Sequence, residues 1–138
     1  MRKSVVFLIA AAALLALSAQ GWAHHAFSAE FDANKPLKLR GNVTKMDWMN
    51  PHAWLHIDVK GPDGAVASWM IELGPPNALL KRGWTKQSVP IGIEVIVDGY
   101  QSKDGALRAN GRDVTLPDGK KMFAGSQGTG APGDTPEK

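Results

Sequence analysis

A small, mostly β domain follows from three features of this 138-residue sequence. Apolar residues between Leu37 and Thr115 recur mostly at period two, the spacing of half-buried strands. Turn-forming clusters containing Asp-Gly punctuate that stretch. One short segment, after a pair of prolines, changes to helical character.

The first strand is predicted from Leu37 to Trp48. It stops at Asn50-Pro51, because proline removes a ladder donor and Asn-Pro favours a turn. In the second, Ala53, Leu55, Ile57 and Val59 share one face while His52, Trp54, His56 and Asp58 share the other. Gly61-Pro62-Asp63-Gly64 turns the chain into a third strand, Val66 to Leu73, so these two form a hairpin. Gly74-Pro75-Pro76 ends it. Pro76 suits the first turn of a helix, Asn77 to Arg82 supplies about two turns, and Gly83 stands where a left-handed terminator is wanted. Ile91, Ile93, Val95 and Val97 alternate along strand four, Lys103-Asp104-Gly105 turns, and Ala106 to Thr115 makes strand five. Three strands, a short helix and two strands is the order of a five-stranded oligonucleotide/oligosaccharide-binding (OB) barrel. A β-sandwich is the alternative.

The ends of the chain read differently. Arg2 and Lys3, the apolar run Val5 to Leu17, and small residues at the −3 and −1 positions of Gly21-Trp22-Ala23 have the order of a secretory signal cut after Ala23. The apolar run is shorter than the ~20 residues that cross a bilayer. The expected organisation is therefore a signal at 1–23, one barrel domain at 24–123 and a disordered tail at 124–138, rich in Gly, Pro, Ser and Thr. The expected location is the periplasm or the exterior, with no membrane anchor after processing. Of 16 Lys and Arg, two lie in the signal, which leaves 14 against 13 Asp and Glu. A near-neutral domain without charge runs gives no electrostatic reason to expect nucleic acid. With no cysteine, disulfides and a lipid-bearing cysteine are excluded.

Chemistry has few candidates. The four histidines are His24, His25, His52 and His56. Cleavage after Ala23 would make His24 the first residue, whose α-amine and ring can chelate one ion together, with His25 adding a second imidazole. Such nitrogen donors suit Cu(II). His52 is the candidate barrel ligand. His56 lies two pleats along, about 13 Å away, too far to share the ion without a bulge. Against this stands a structural reading: a frayed terminus, His52 bonded to nearby backbone, and His56 on the surface. Met46, Met49 and Met70 are read as core filling rather than ligands. By strand parity Glu72 shares a face with Ser68 and Met70, so it is expected to be solvated or to meet Lys81 or Arg82. No nucleophile motif, carboxylate pair or phosphate loop is present, and the chain is expected to bind rather than catalyse. Trp69 and Trp84 are expected in the core; Trp48 and Trp54 are either core or an aromatic ligand platform.

In combination, His24-His25-Ala26-Phe27, Phe31-Asp32, Gly41-Asn42-Val43, Trp48-Met49-Asn50-Pro51-His52, Trp69-Met70-Ile71-Glu72, Pro76-Asn77-Ala78-Leu79 and Gly83-Trp84 resemble a family of small exported bacterial proteins known only as a domain of unknown function. The resemblance covers about His24 to Thr115 and implies export and a small β-barrel. His24, His25, Asn50, Pro51, His52, Glu72 and Trp84 match its pattern; His56 lies outside it, and Ala26 stands where the family tends to have serine.

Two functions remain open. One is a copper carrier or buffer using His24, His25 and His52. The other is a non-enzymatic barrel that binds a small molecule or a protein through Trp48, Trp54 and Glu72. A copper oxidase is the least supported, since nothing identifies a substrate surface.

Overall fold

The computed structural model describes residues 27–126 and 129–133. Among the described residues, helical residues 27–30 lead into six strands and a short helix, in order β1 Phe31–Asp47, β2 Trp54–Lys60, β3 Val66–Glu72, α1 Pro76–Lys81, β4 Glu94–Ser102, β5 Arg108–Thr115 and β6 Lys121–Phe123. Strand β1 is shared by the two halves of the sheet. Its Pro36–Asn42 stretch pairs with β4 and its Asn42–Asp47 stretch with β2, both antiparallel. The β2–β3 hairpin turns at Gly61–Ala65, and β4 pairs with β5. A short parallel pairing of Met70–Glu72 with Arg108–Asn110 then closes the ring, in the order β1, β2, β3, β5, β4. That circuit is the OB-like barrel anticipated from the order of elements.

The interior comes from the alternating residues. Leu55, Ile57, Ile71, Leu73, Val95, Val97, Ala109 and Val114 are all at most 1% exposed. The end of the barrel is covered by α1 and the loop after it through Leu79, Trp84 and Val89. Trp84 is fully buried, and its indole N–H donates to the Phe123 carbonyl at 2.9 Å, so its one polar atom is satisfied. Gly83 has φ +88° just after α1, the left-handed terminator that the sequence marked.

Several expectations change. β1 begins at Phe31, six residues before the predicted start. Strand four begins at Glu94 and runs to Ser102, and Ile91 is 75% exposed in a turn. The cause is Gly92, whose positive φ and N–H bond to Val43 O bend the chain away before the strand starts. Trp69 is only half-buried, while Met49 and Met70 are exposed by 52% and 41% and fill no core. Strand β6 is an addition: Leu116 and Lys120 close a turn around Gly119, and the returning strand pairs with β5. Packing continues past Phe123. Ala124 is fully buried, its carbonyl accepts from Gly74 N at 2.8 Å, and Gly125 O accepts from Arg82 at 2.5 Å. The tail expected from 124 onward is thus held to the barrel at Ala124 and Gly125, and again at Pro132 and Gly133, whose carbonyls accept from Arg112. Residues 127, 128 and 134–138 lie outside the described residues.

Close strand crossing needs glycine where β4 meets β5 at a register shift. A Cβ on Gly99 would stand 2.1 Å from the Asn110 carbonyl oxygen. The obstacle is backbone, which cannot rotate aside. Gly99→Ala is expected to destabilise the protein by roughly 1–3 kcal/mol, measured as a fall in the urea midpoint with unchanged slope. An unchanged midpoint would show that the strands can separate there at little cost.

Candidate functional site

The ladder between β2 and β3 runs beyond its assigned ends. Ala53 N donates to Gly74 O at 3.1 Å and Leu73 N to Ala53 O at 2.8 Å. This extension places His52, just ahead of β2, diagonally across from Glu72, whose direct partner is Trp54. His52 Nδ1 lies 3.4 Å from Glu72 Oε1, and the two side chains are 30% and 12% exposed. Nδ1 faces the carboxyl at this distance, and Nε2 points the other way.

Glu72 is not the solvated residue that strand parity suggested. Parity put it on the outer face correctly, but the β3–β5 closure covers that face. The parallel register sets Glu72 beside Asn110, which is 7% exposed and hydrogen-bonded to it. Lys81 and Arg82 are not its partners; Arg82 reaches Gly125 O and lies 4.7 Å from the Phe123 ring centre.

Arg108 stands two residues before Asn110 on the same face of β5. Its guanidinium lies 3.6 Å from Glu30 and 5.8 Å from the Phe31 ring centre. Glu30 ends the helical turn that leads into β1, and its charge acts on both His52 and Glu72. Five side chains from four parts of the chain therefore meet where the ring closes: Glu30, His52, Glu72, Arg108 and Asn110.

Burial dominates the protonation of the central pair. It pushes the Glu72 carboxyl up to about 7, aided by the negative Glu30 and opposed by Arg108 and the Asn110 hydrogen bond. It also lowers His52 below the ordinary imidazole value, against the pull of Glu30. Both shifts favour neutral forms, as expected when two groups lose water without forming a full ion pair.

His56 is occupied elsewhere. Its Nε2 lies 2.8 Å from Asp47 Oδ2, and hydrogen bonds from Lys45 and then His56 keep the Asp47 carboxyl below its usual value. Trp48 packs partly against the core, whereas Trp54 is half-buried on the outer face beside His52 and Glu72. His24 and His25 lie outside the described residues. Among the described residues, no three His, Asp or Glu side chains gather closely enough to hold a metal by themselves. Sequence reasoning missed Glu30, Arg108 and Asn110. Only the three-residue β3–β5 pairing and the turn before β1 make them neighbours, and neither has a local pattern.

The fold and this cluster define a small closed β-barrel with a polar patch at its seam. The chain belongs to the Family of unknown function (DUF6152), whose model matches residues 11–111. No curated protein matches it. Among solved structures it is similar to the mitochondrial single-stranded DNA binding protein Rim1 of S. cerevisiae. That likeness has 14% identity and a TM-score of 0.48, over 60% of this chain and 93% of the other. Among the described residues, no helix is long and apolar enough to cross a membrane.

The raised Glu72 carboxyl makes stability depend on pH. Between 4.5 and about 7 the native state keeps a proton that the unfolded chain gives up, so stability falls as pH rises through that window. Glu72→Gln removes the group that must ionise. In metal-free protein it is expected to match the wild type near pH 4 and to exceed it at pH 8 by up to roughly 3 kcal/mol, read from thermal or urea unfolding at the two pH values. A variant less stable at pH 8 would show that the charged carboxylate is the form the barrel prefers.

Proposed function

We propose that this is an exported protein which, once its signal is cut after Ala23, binds one copper ion as a carrier or buffer. The donors are the α-amine and ring of His24, the imidazole of His25 and Nε2 of His52, with Glu72 orienting the His52 ring. The observation that supports this most is the position of Glu30. The chain that leads back to His24 and His25 passes through the same cluster as His52 and Glu72. From Phe27 to Glu30 is one helical turn, a rise of about 4.5 Å. From His24 to Phe27 is three residues, a reach of at most about 11 Å. The terminal histidines can thus meet His52 without a long loop. A neutral imidazole beside a carboxyl fits a metal ligand, and nitrogen donors fit Cu(II).

A second reading rests on the outer face. Trp54 is half-buried there, and Met70 and Leu107, joined by the Met70 N to Leu107 O bond at 3.0 Å, are 41% and 47% exposed. A small molecule or a protein segment could lie on this surface, as barrels of this kind use their strand 2–3 face.

The test begins with protein exported and processed by its own signal, whose intact mass should correspond to a chain starting at His24. Titration with Cu(II) is expected to show one tight equivalent with a nitrogen-rich axial electron paramagnetic resonance spectrum. His52→Ala should weaken binding by about 10- to 100-fold and change that spectrum, while Trp54→Ala should leave both as they were. Equal affinity and spectra for the wild type and His52→Ala would reject a folded copper site and move attention to the Trp54 face.

A further inference from the structure

Three side chains of coordinating or cation-binding character share the outer face where β2 meets β3. Trp54 and His56 stand two residues apart on β2, about 7 Å by the strand repeat. Met70 is the direct cross-strand partner of His56. Met70 N donates to Leu107 O at 3.0 Å, so it points away from β2, and the His56–Met70 pair is of the non-hydrogen-bonded kind. Side chains come closest in such pairs, with Cβ atoms about 4.5–5.5 Å apart, and the diagonal from Met70 to Trp54 is within reach of an aromatic ring. Met70 is 41% exposed, while Trp54 and His56 are half-buried. The hairpin register decides this meeting, since a slip of one residue would carry Met70 to the other face. His56 is fixed from its far side. Its Nε2 lies 2.8 Å from Asp47 Oδ2, and a carboxylate accepts, so the neutral ring carries its proton on Nε2 and keeps the Nδ1 lone pair for coordination. Lys45, the β1 partner of His56, is held by the same carboxylate at 2.8 Å.

We propose that His56 Nδ1 and the Met70 thioether bind one Cu(I) ion on the barrel wall, with the indole face of Trp54 against it. A thioether is a soft donor and selects Cu(I), whereas an imidazole accepts copper in either oxidation state. An aromatic face attracts a cation that has lost part of its water, and indole does so best. Leu107, 47% exposed and tied to Met70 through the backbone, adds an apolar border that limits solvent at the sulfur. A soft site of this kind needs no gathering of three His, Asp or Glu side chains, because sulfur and a ring face replace the harder donors. None of His24, His25 and His52 contributes, so the site does not rest on the copper reading above.

The experiment is an anaerobic competition for Cu(I) between the exported, processed protein and the chromophoric chelator bicinchoninate, followed by copper X-ray absorption. The wild type is expected to withdraw an equivalent of Cu(I) that has a sulfur neighbour, and to lose tryptophan fluorescence as it fills. Met70→Leu should remove the sulfur neighbour and weaken binding roughly tenfold or more, as should His56→Phe for affinity. Trp54→Leu should weaken it by roughly 2- to 30-fold and abolish most of the quenching. Met49→Leu, which alters another exposed methionine off this face, should change nothing. Circular dichroism confirms that each barrel is folded, and the sulfur neighbour in the wild type needs no variant. The two copper readings fail separately: His52→Ala should leave Cu(I) binding intact, and Met70→Leu should leave the Cu(II) titration intact. A wild type that binds no Cu(I), or binds it without a sulfur neighbour, would overturn the proposal. So would a Met70→Leu protein with wild-type affinity and spectrum.

Discussion

The pairing of Met70–Glu72 with Arg108–Asn110 is the contact on which the rest of the molecule depends. It is only three residues long and parallel, in a sheet otherwise built from antiparallel neighbours. Without it the strands would form an open curved sheet with β3 at one edge, and the interior of Leu55, Ile71, Val97 and Val114 would face water on that side. Burial of those side chains stabilises closure by far more than the few backbone hydrogen bonds at the seam, since each fully buried aliphatic side chain contributes about 1.5–3 kcal/mol. Closure in turn brings polar residues together. Glu72, Asn110 and Arg108 lie on the outer face of their strands, and they become neighbours because the ring has to close there.

Two other features adjust themselves to that closure. Glycine lets backbones approach where a side chain would hold them apart: Gly111 has no room for a Cβ against Ile71 Cγ2, and Gly41 none against the Asp58 carbonyl. The segment ahead of β1 covers the flank of the seam, with Phe27 packed on Phe31 and Tyr100, and Glu30 facing Arg108. The cluster contains two carboxylates and one guanidinium, and burial first, with the negative Glu30 second, raises the Glu72 carboxyl to about 7. A site of this kind presents neutral donors at its centre and charge at its rim.

Much of this was legible in the sequence for local reasons. Period-two alternation in Ala53 to Val59 assigned the faces of β2, and Ala53, Leu55 and Ile57 are indeed fully buried. The Gly61–Gly64 turn fixed the hairpin, and Gly83 ended the helix. The same alternation misled at Ile91, where one glycine with positive φ cancels it, and it undervalued Leu116 to Gly119, a turn as strong as the first that leads into β6. Methionine is a poor guide in either direction, because its flexible chain serves core and surface alike; Met49 and Met70 are exposed here.

By itself, then, the sequence determined five of the six strands, the short helix and their order, and the faces of β2 and β3, because each depends on residues a few positions apart. It also singled out His52 and Glu72 as residues of interest. Only the tertiary structure decided what surrounds them. Glu72 changes from a solvated strand residue to a buried carboxyl because β5 lies beside it in parallel register, a pairing 38 residues distant in the chain. Glu30 joins the same cluster from the other end of the fold. Such neighbours are set by how a curved sheet closes, a global condition of packing and chain connectivity that no local pattern of residues records.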